Sequence, residues 1–304
     1  MSVSRIGVVT GANKGIGFAI GRRPFPILSL LLTPSSVRQL ALQYPISPFN
    51  NGPLLIYLTA RDQGRGEKAL QDLQEDPALK KAKALKADGG LAQIKFHALD
   101  ISQTKSIQDF SEFLQTEHPE GIDFVINNAG IALQGFDSEV VKKTIECNYY
   151  GTLEANQDLL PLVRDGGRLV NVSSTAGNLS KYSPEIQERF RSAKYTKDTT
   201  KLMEDFKAAV AAGNHEKQGW VSMAYATSKA GVTAATRCIA EGWQGKGSKT
   251  LINSCCPGYV KTDMTRGGGS KTPDQGAQTP VMLALADIGG KTGLFWKDEK
   301  PQRV

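Results

Sequence analysis

The chain has 304 residues, of which 40% are hydrophobic and 22% charged, a globular balance that excludes disordered, collagen-like and low-complexity chains. Four cysteines form no disulfide framework: Cys255 and Cys256 are adjacent, Cys147 and Cys238 stand alone, and a reduced, cytoplasmic setting fits best. Three separated histidines, His97, His118 and His215, leave little material for a metal site, and the formal charge of +7 comes from dispersed lysines rather than a stripe suited to nucleic acid.

A strand-like run begins almost at once, at Ile6–Thr10, so no secretory signal is expected. It runs into Thr10-Gly11-Ala12-Asn13-Lys14-Gly15-Ile16-Gly17, a glycine-rich turn that opens a helix. Glycines there let the backbone approach a pyrophosphate, whose charge is stabilised by the helix N-terminus. The helical pattern then breaks at Gly21–Ser36, where Pro24, Pro26 and Pro34 would each cost about 3 kcal/mol in a helix interior. Its apolar stretch, Phe25–Leu32, is far shorter than the roughly 18 residues a membrane span needs, so no membrane association is expected. Joining Ile20 to Val37-Arg38-Gln39-Leu40 restores one uninterrupted helix. The sixteen residues 21–36 keep the reading frame, and Gly21, Ser36 and Val37 allow codons that fit splice boundaries, so the segment is expected to be a retained intron. The alternative is a surface excursion with an apolar patch at Leu30–Leu32. A tryptic peptide running from Ile20 directly into Val37 would decide between them.

The second strand, Leu54–Thr59, ends in Ala60-Arg61-Asp62, followed by a helix over Gly66–Glu75. The run Lys80–Lys86 reads as a solvated helix face. Strand Ile94–Ala98 leads into Leu99-Asp100-Ile101 and a helix at Ser106–Glu117. Strand Phe124–Asn127 is followed by Asn128-Ala129-Gly130, and a long helical pattern over Val140–Leu160 carries Asn148. Strand Arg168–Val172 ends at Ser173-Ser174. The stretch Ala176–Trp220 holds no convincing strand and predicts two extra helices, one opening at Ser183-Pro184-Glu185 and one over Thr199–Ala212 that stops at Gly213. A helix at Ala224–Trp243 and a strand at Leu251–Cys256, ending in Pro257-Gly258, complete the pattern. Short apolar runs alternating with amphipathic helices predict an α/β fold, a Rossmann-type doubly wound parallel sheet in one domain over 1–304, with a helical insertion at 176–220.

Chemistry gathers at the predicted strand ends, where open α/β sheets bind ligands. An acid there would favour the free ribose of NAD. Arg61, with Lys14 in the turn, instead favours the 2′-phosphate of NADP; the competing reading is a surface arginine paired with Asp62. Tyr225 and Lys229 are four apart and share a helix face. A nearby ammonium favours the phenolate and lowers a tyrosine pKa from its usual value near ~10. Alone, that spacing is also an ordinary helix pair.

Together, the glycine turn, Asn127-Asn128-Ala129-Gly130, Asn148, Ser174, the Tyr225/Lys229 pair and Pro257-Gly258 resemble the short-chain dehydrogenase/reductase family, in the family's order over essentially the whole chain. The resemblance implies that Tyr225 protonates a substrate carbonyl oxygen as hydride arrives from the cofactor. It implies that Ser174 hydrogen-bonds the same oxygen, and that Lys229 binds the nicotinamide ribose while lowering the tyrosine pKa. Asn148 would hold a water linking Lys229 to solvent. For the cofactor, the resemblance implies a site made by Gly11, Asn13, Lys14, Gly15, Ile16, Gly17 and Arg61, with Asp100 and Ile101 at the adenine. Asn127, Ala129 and Gly130 would line the cleft, and Pro257, Gly258, Val260 and Thr262 would meet the carboxamide. Of the adjacent serines, Ser173 is expected to be structural.

A closer similarity is to the NADPH-dependent carbonyl reductases of this family. It rests on Lys14, Thr59-Ala60-Arg61-Asp62, Cys255-Cys256-Pro257-Gly258 and the long interval between Ser174 and Tyr225. It implies NADPH as cofactor, a small carbonyl compound as substrate, and a monomer in which the 176–220 insertion covers helices that otherwise form an oligomer. Two alternatives stand beside it: a narrow NADP-dependent alcohol dehydrogenase, and a non-catalytic NADPH-binding regulator. The pocket walls are expected from residues 131–140, 176–220 and 264–280.

Overall fold

The computed structural model describes residues 5–13 and 35–302. Lys14, Gly15, Ile16 and Gly17 of the turn, and residues 21–34 of the anomalous segment, lie outside the described residues. Among the described residues eight strands form one sheet: β1 (Arg5–Val9), β2 (Leu54–Ala60), β3 (Ala92–Ala98), β4 (Ile122–Asn127), β5 (Val163–Val172), β6 (Leu251–Cys256), β7 (Phe295–Lys297) and β8 (Lys300–Gln302), in the order β3-β2-β1-β4-β5-β6-β7-β8. Every pairing is parallel except β7 with β8. The doubly wound sheet is therefore as expected. Its last hairpin, β7–β8, was not foreseen, because three-residue strands carry too little pattern.

The described residues contain ten α-helices flanking the sheet: α1 (Ser35–Gln43), α2 (Gln63–Gln74), α3 (Pro77–Lys81), α4 (Thr104–Glu117), α5 (Ser138–Ile145), α6 (Thr152–Leu159), α7 (Pro184–Ser192), α8 (Thr196–Ala211), α9 (Ala224–Gln244) and α10 (Pro273–Leu285). Strand β2, LLIYLTA, is buried throughout and serves both faces. Leu54, Ile56 and Leu58 pack with residues of α1, α2 and α10, such as Leu40, Leu73 and Val281. Leu55 and Tyr57 point to the other face, with Phe110 of α4, Leu159 of α6 and Ala240 of α9. That alternation is the period-two geometry of a strand covered on both sides.

Three local expectations need correction. The lysines of 80–86 do not share one helix face: α3 ends at Lys81, Lys83 takes a left-handed φ of 49°, and Leu79 and Leu85 are buried beneath exposed lysines. The helical pattern said to resume at Val37 is already helical at Ser35 and Ser36. Residues 273–280, assigned to a pocket loop, open α10, whose Thr272 and Gln275 form a reciprocal capping box.

The insertion folds as the two predicted helices. Ser183 caps α7 through Ile186 N, with Pro184 in its first turn, and α8 begins three residues earlier than expected. Leu202, Met203 and Phe206 of α8 bury against Val141 and Ile145 of α5 and Ala230 and Ala234 of α9, with Trp220 closing the cluster. Among the described residues, no helix is long and apolar enough to cross a membrane.

Candidate active site

Two glycines shape a cleft at the carboxyl ends of β1, β4 and β5. Gly11 turns the chain out of β1 with φ of 60°, and an added Cβ would sit 2.7 Å from Ala129 Cα, so two backbones meet there without side chains. Thr10 Oγ1 accepts from the amides of Asn128 and Ala129 at 3.0 and 3.1 Å. Asn128 returns its own amide to the carbonyls of Thr10 and Gly11, also at 3.0 and 3.1 Å. The two chain reversals are thus stitched into one floor. Asn128 was quoted only as part of a motif; its signal was a polar residue at the end of a buried strand.

Over that floor the cleft is lined by Gly11, Asn13, Arg61 and Asp100 towards its outer end, and by Ala129, Gly130 and Ile131 further in, with Ile101 and Cys147 alongside. Asp62 caps α2 by accepting from Arg65 N at 2.8 Å, so its carboxylate serves a helix end. Arg61 itself makes no hydrogen bond or ion pair among the described residues, and the Arg61–Asp62 pairing considered above does not form. Asp100 accepts from the amide and hydroxyl of Ser102 at 2.9 and 2.7 Å. The expectation for Asn127 needs correction. Its amide donates to Asn156 and Asn171 at 2.8 and 3.0 Å inside the protein, so its side chain does not line the cleft.

At the inner end, Gly130 faces both Asn148 and Lys229. An added Cβ would lie 3.1 Å from Asn148 Oδ1 and 3.5 Å from Lys229 Nζ. Asn148 sits in a π-helical turn, Glu146–Gly151, between α5 and α6. It accepts from Ile131 N at 2.7 Å and donates to Ile131 O at 2.8 Å, and to Ser228 Oγ at 3.0 Å. Ser228 in turn donates to Tyr225 O at 2.7 Å, so it ties Asn148 to the first turns of α9. Neither the π turn nor Ser228 was anticipated, since a one-residue widening of a helix leaves no trace in apolar periodicity.

The adjacent serines divide their work. Ser173 Oγ donates to Lys229 O at 2.8 Å and lies 2.6 Å from Thr233 Oγ1, pinning α9 to the end of β5. Ser174 caps a short turn, Thr175–Gly177, and its hydroxyl adjoins the half-buried Tyr225 phenol. Buried Lys229 donates to Val172 O at 2.7 Å, with its Nζ 5.7 Å from the centre of the Tyr225 ring. Beyond β6, Val260 and Thr262 are buried within the loop that returns to α10. Thr265 Oγ1 donates to Val260 O at 2.7 Å and accepts from Thr262 N at 3.0 Å, and Pro257-Gly258 leads into this loop.

Electrostatics corrects one expectation. Tyr225 is not depressed: burial pushes its pKa up to about 12, against the opposing hydrogen bond from Ser174. Burial acts on Lys229 in the opposite sense and brings its pKa down to about 8. The tyrosine is therefore an acid holding its proton throughout the neutral range, beside an ammonium near its titration point. Cys147, at the cleft, is held up to about 11 mainly by burial, so it stays a thiol.

The family described as short chain dehydrogenase matches residues 62–185 and 208–272. The chain belongs to this family. Carbonyl reductase (NADPH) 1 of Macaca fascicularis is 38% identical over 98% of this chain and 98% of that protein, and its Homo sapiens counterpart is likewise 38% identical over 98% of each. Among solved structures, salutaridine reductase from Papaver somniferum superposes with a TM-score of 0.76 at 25% identity, covering 96% of this chain and 99% of that one. Menthone neomenthol reductase from Mentha piperita gives 0.73, also at 25%, covering 97% and 99%. In this chain Asn148 and Lys229 adjoin Gly130 at the inner end of the glycine-floored cleft, with the Tyr225 ring beside Lys229. The part of the 176–220 insertion that the family match skips, residues 186–207, carries most of α7 and α8.

Proposed function

We propose that this protein reduces small carbonyl compounds (ketones, aldehydes or quinones) to alcohols or hydroquinones with NADPH, as a single-domain monomer. One observation carries the reading: an acid held protonated, Tyr225, stands over Lys229, whose ammonium adjoins Gly130 at the inner end of a cleft with glycine backbone at its floor.

The cleft fits a dinucleotide, because Gly11 and Gly130 leave backbone bare where a Cβ would close it. Gly11 and Asn13 would hold the pyrophosphate, Asp100 and Ile101 the adenosine, and Val260 and Thr262 the carboxamide end. Among the described residues no acid engages Arg61, so its guanidinium is available for a 2′-phosphate. Bound NADPH supplies the hydride that goes to the carbonyl carbon. Ser174 would orient the substrate oxygen and Tyr225 give it a proton, so that a ketone or aldehyde C=O becomes CH–OH and the tyrosine becomes a phenolate. Lys229 stabilises that phenolate from beneath, and Asn148 fixes the Ile131 backbone and, through Ser228, the helix that carries both.

The monomer rests on two features. The insertion buries the α5 and α9 faces under Leu202, Phe206 and Trp220. The open sheet edge, β8, is Lys300-Pro301-Gln302, short, charged and short of one backbone donor. All four cysteines are unpaired, which supports a reducing compartment such as the cytoplasm.

The test is NADPH oxidation with a panel of quinones, aromatic ketones and aldehydes, run beside Tyr225→Phe. Turnover lost in the variant while NADPH still binds supports the reading. A folded wild type that binds NADPH and turns over nothing in the panel leaves the regulator or a narrow alcohol dehydrogenase in its place.

A further inference from the structure

Behind α9 lies a cavity of about 470 Å³ that shares no lining residue with the cofactor cleft. Its floor is one face of that helix. Ala230, Thr233, Ala234 and Arg237 recur there at helical spacing, whereas Lys229 turns its ammonium towards Gly130. The two alanines leave space that larger side chains would fill. The remaining wall is mainly apolar, with Leu179 and Phe190 from the insertion and Phe295 from β7. Small-molecule sites measure about 300–1,000 Å³ and share this make-up, an apolar lining with a few polar groups.

The charged groups here are of one sign. Arg191 and Arg237 both stand in the wall, and no acid lines it. Arg237 is held in place, because its Nη2 donates to the carbonyls of Phe190 and Arg191 at 3.0 and 3.1 Å, and both of those residues line the cavity. Its ion pair with Glu241 is loose, at 3.4 Å, and its side chain is 31% exposed, so a solute can reach it. Arg191 is exposed as well, and its Nη2 donates to the neutral Gln187 Oε1 at 2.8 Å. Two guanidiniums beside an acid-free apolar hollow complement an apolar molecule that carries a carboxylate.

We propose that this cavity binds a small amphipathic carboxylate. Its alkyl or aryl part lies against Leu179, Phe190 and Phe295, and its carboxylate accepts from Arg237 and Arg191. The site is separate from the cofactor and carbonyl sites, and its occupancy does not depend on turnover.

The probe is octanoate, titrated calorimetrically into the full chain, with octanol as its uncharged counterpart. Octanoate should bind at one site per chain, and octanol roughly 10-fold more weakly or worse. Arg237→Gln should weaken octanoate by roughly 10-fold or more and leave octanol unchanged. Should Arg237→Gln fail to fold, Arg191→Gln, at an exposed position, provides the same comparison. Crystals soaked in ω-bromooctanoate should place the bromine anomalous peak among Leu179, Phe190 and Phe295. Equal affinity for octanoate and octanol, octanoate binding that a folded arginine variant leaves intact, or bromine found only elsewhere, such as beside Tyr225, overturns the proposal. So does an absence of binding below the micelle concentration of octanoate.

Discussion

Lys229 donates its ammonium to Val172 O at 2.7 Å, which ties the middle of the first half of α9 to the last residue of β5. Ser173, one residue on, answers by donating to Lys229 O at 2.8 Å. The two bonds cross between the same pair of elements, so the Tyr225 ring and the Ser174 hydroxyl are placed by one rigid joint rather than by two independent loops. A joint of this kind sets catalytic geometry to within the few tenths of an ångström that proton transfer requires.

The first prediction concerns pH. Tyr225, with its pKa near 12, stays protonated throughout the useful range, whereas Lys229 loses its charge as pH rises through about 8. Carbonyl reduction should therefore be fast below pH 8 and fall above it, as the ammonium that stabilises the nascent phenolate disappears. A kcat profile with saturating cofactor checks this, and a rate still flat well above pH 8 would show that Lys229 is not the controlling group.

Gly130→Ala tests the crowding at the inner cleft. Its Cβ would press on Asn148 Oδ1 at 3.1 Å and reach Lys229 Nζ at 3.5 Å. We expect kcat to fall by roughly 10-fold to 100-fold, because small displacements of reacting groups are costly. Tm should change by only a few degrees. Unchanged kinetics would mean that Asn148 and Lys229 can yield without loss.

Much of this was legible in the sequence. Buried parallel strands announce themselves as short apolar runs, and the six long ones were located to within a few residues, β5 excepted, whose start at Val163 is hidden by the polar Arg164-Asp165-Gly166-Gly167. Ser183-Pro184 opened the insertion's first helix and Gly213 closed its second because caps depend on local chemistry. What failed were features set by tertiary contact: the orientation of Asn127, the π turn at Asn148, and the sign of the Tyr225 shift. That sign follows from how much protein surrounds the ring, which helical spacing to Lys229 does not report. The capping box at Thr272 and Gln275 was readable, and was missed.

Arg61→Glu tests the cofactor end of the cleft. Its guanidinium makes no ion pair among the described residues, so replacing it changes few contacts within the fold. Losing a charge-assisted bond and adding repulsion should weaken NADPH by about 10-fold to 100-fold. Affinity for NADH should hardly move. Fluorescence titration with both cofactors gives the comparison, and equal weakening of the two would remove Arg61 from 2′-phosphate recognition.

Tyr149 connects the insertion to the active site. Its hydroxyl lies 2.6 Å from Thr199 Oγ1 and 3.0 Å from Thr200 Oγ1 on α8, next to Asn148 in the π turn. Tyr149→Phe should cost about 1 kcal/mol of stability and lower kcat several-fold. Adding Thr199→Val should then cost little more. Fully additive losses in that double-mutant cycle would show that the latch is not a unit.

The last prediction is acid sensitivity at the far edge of the sheet. His118 Nε2 lies 2.9 Å from the hydroxyl of Tyr57, and His97 packs against Phe110 and Phe113 beside them. Burial lowers the His118 pKa from its ordinary value of 6.5, so the folded protein favours the neutral ring while the unfolded chain takes up a proton near that pH. The unfolded state then binds more protons, and stability present above pH 6.5 is lost as pH falls through it. Wild type should exceed His118→Gln in Tm at neutral pH, and the gap should narrow on acidification. A gap that stays constant from neutral to mildly acidic pH would mean that the Tyr57–His118 contact does not depend on the neutral imidazole.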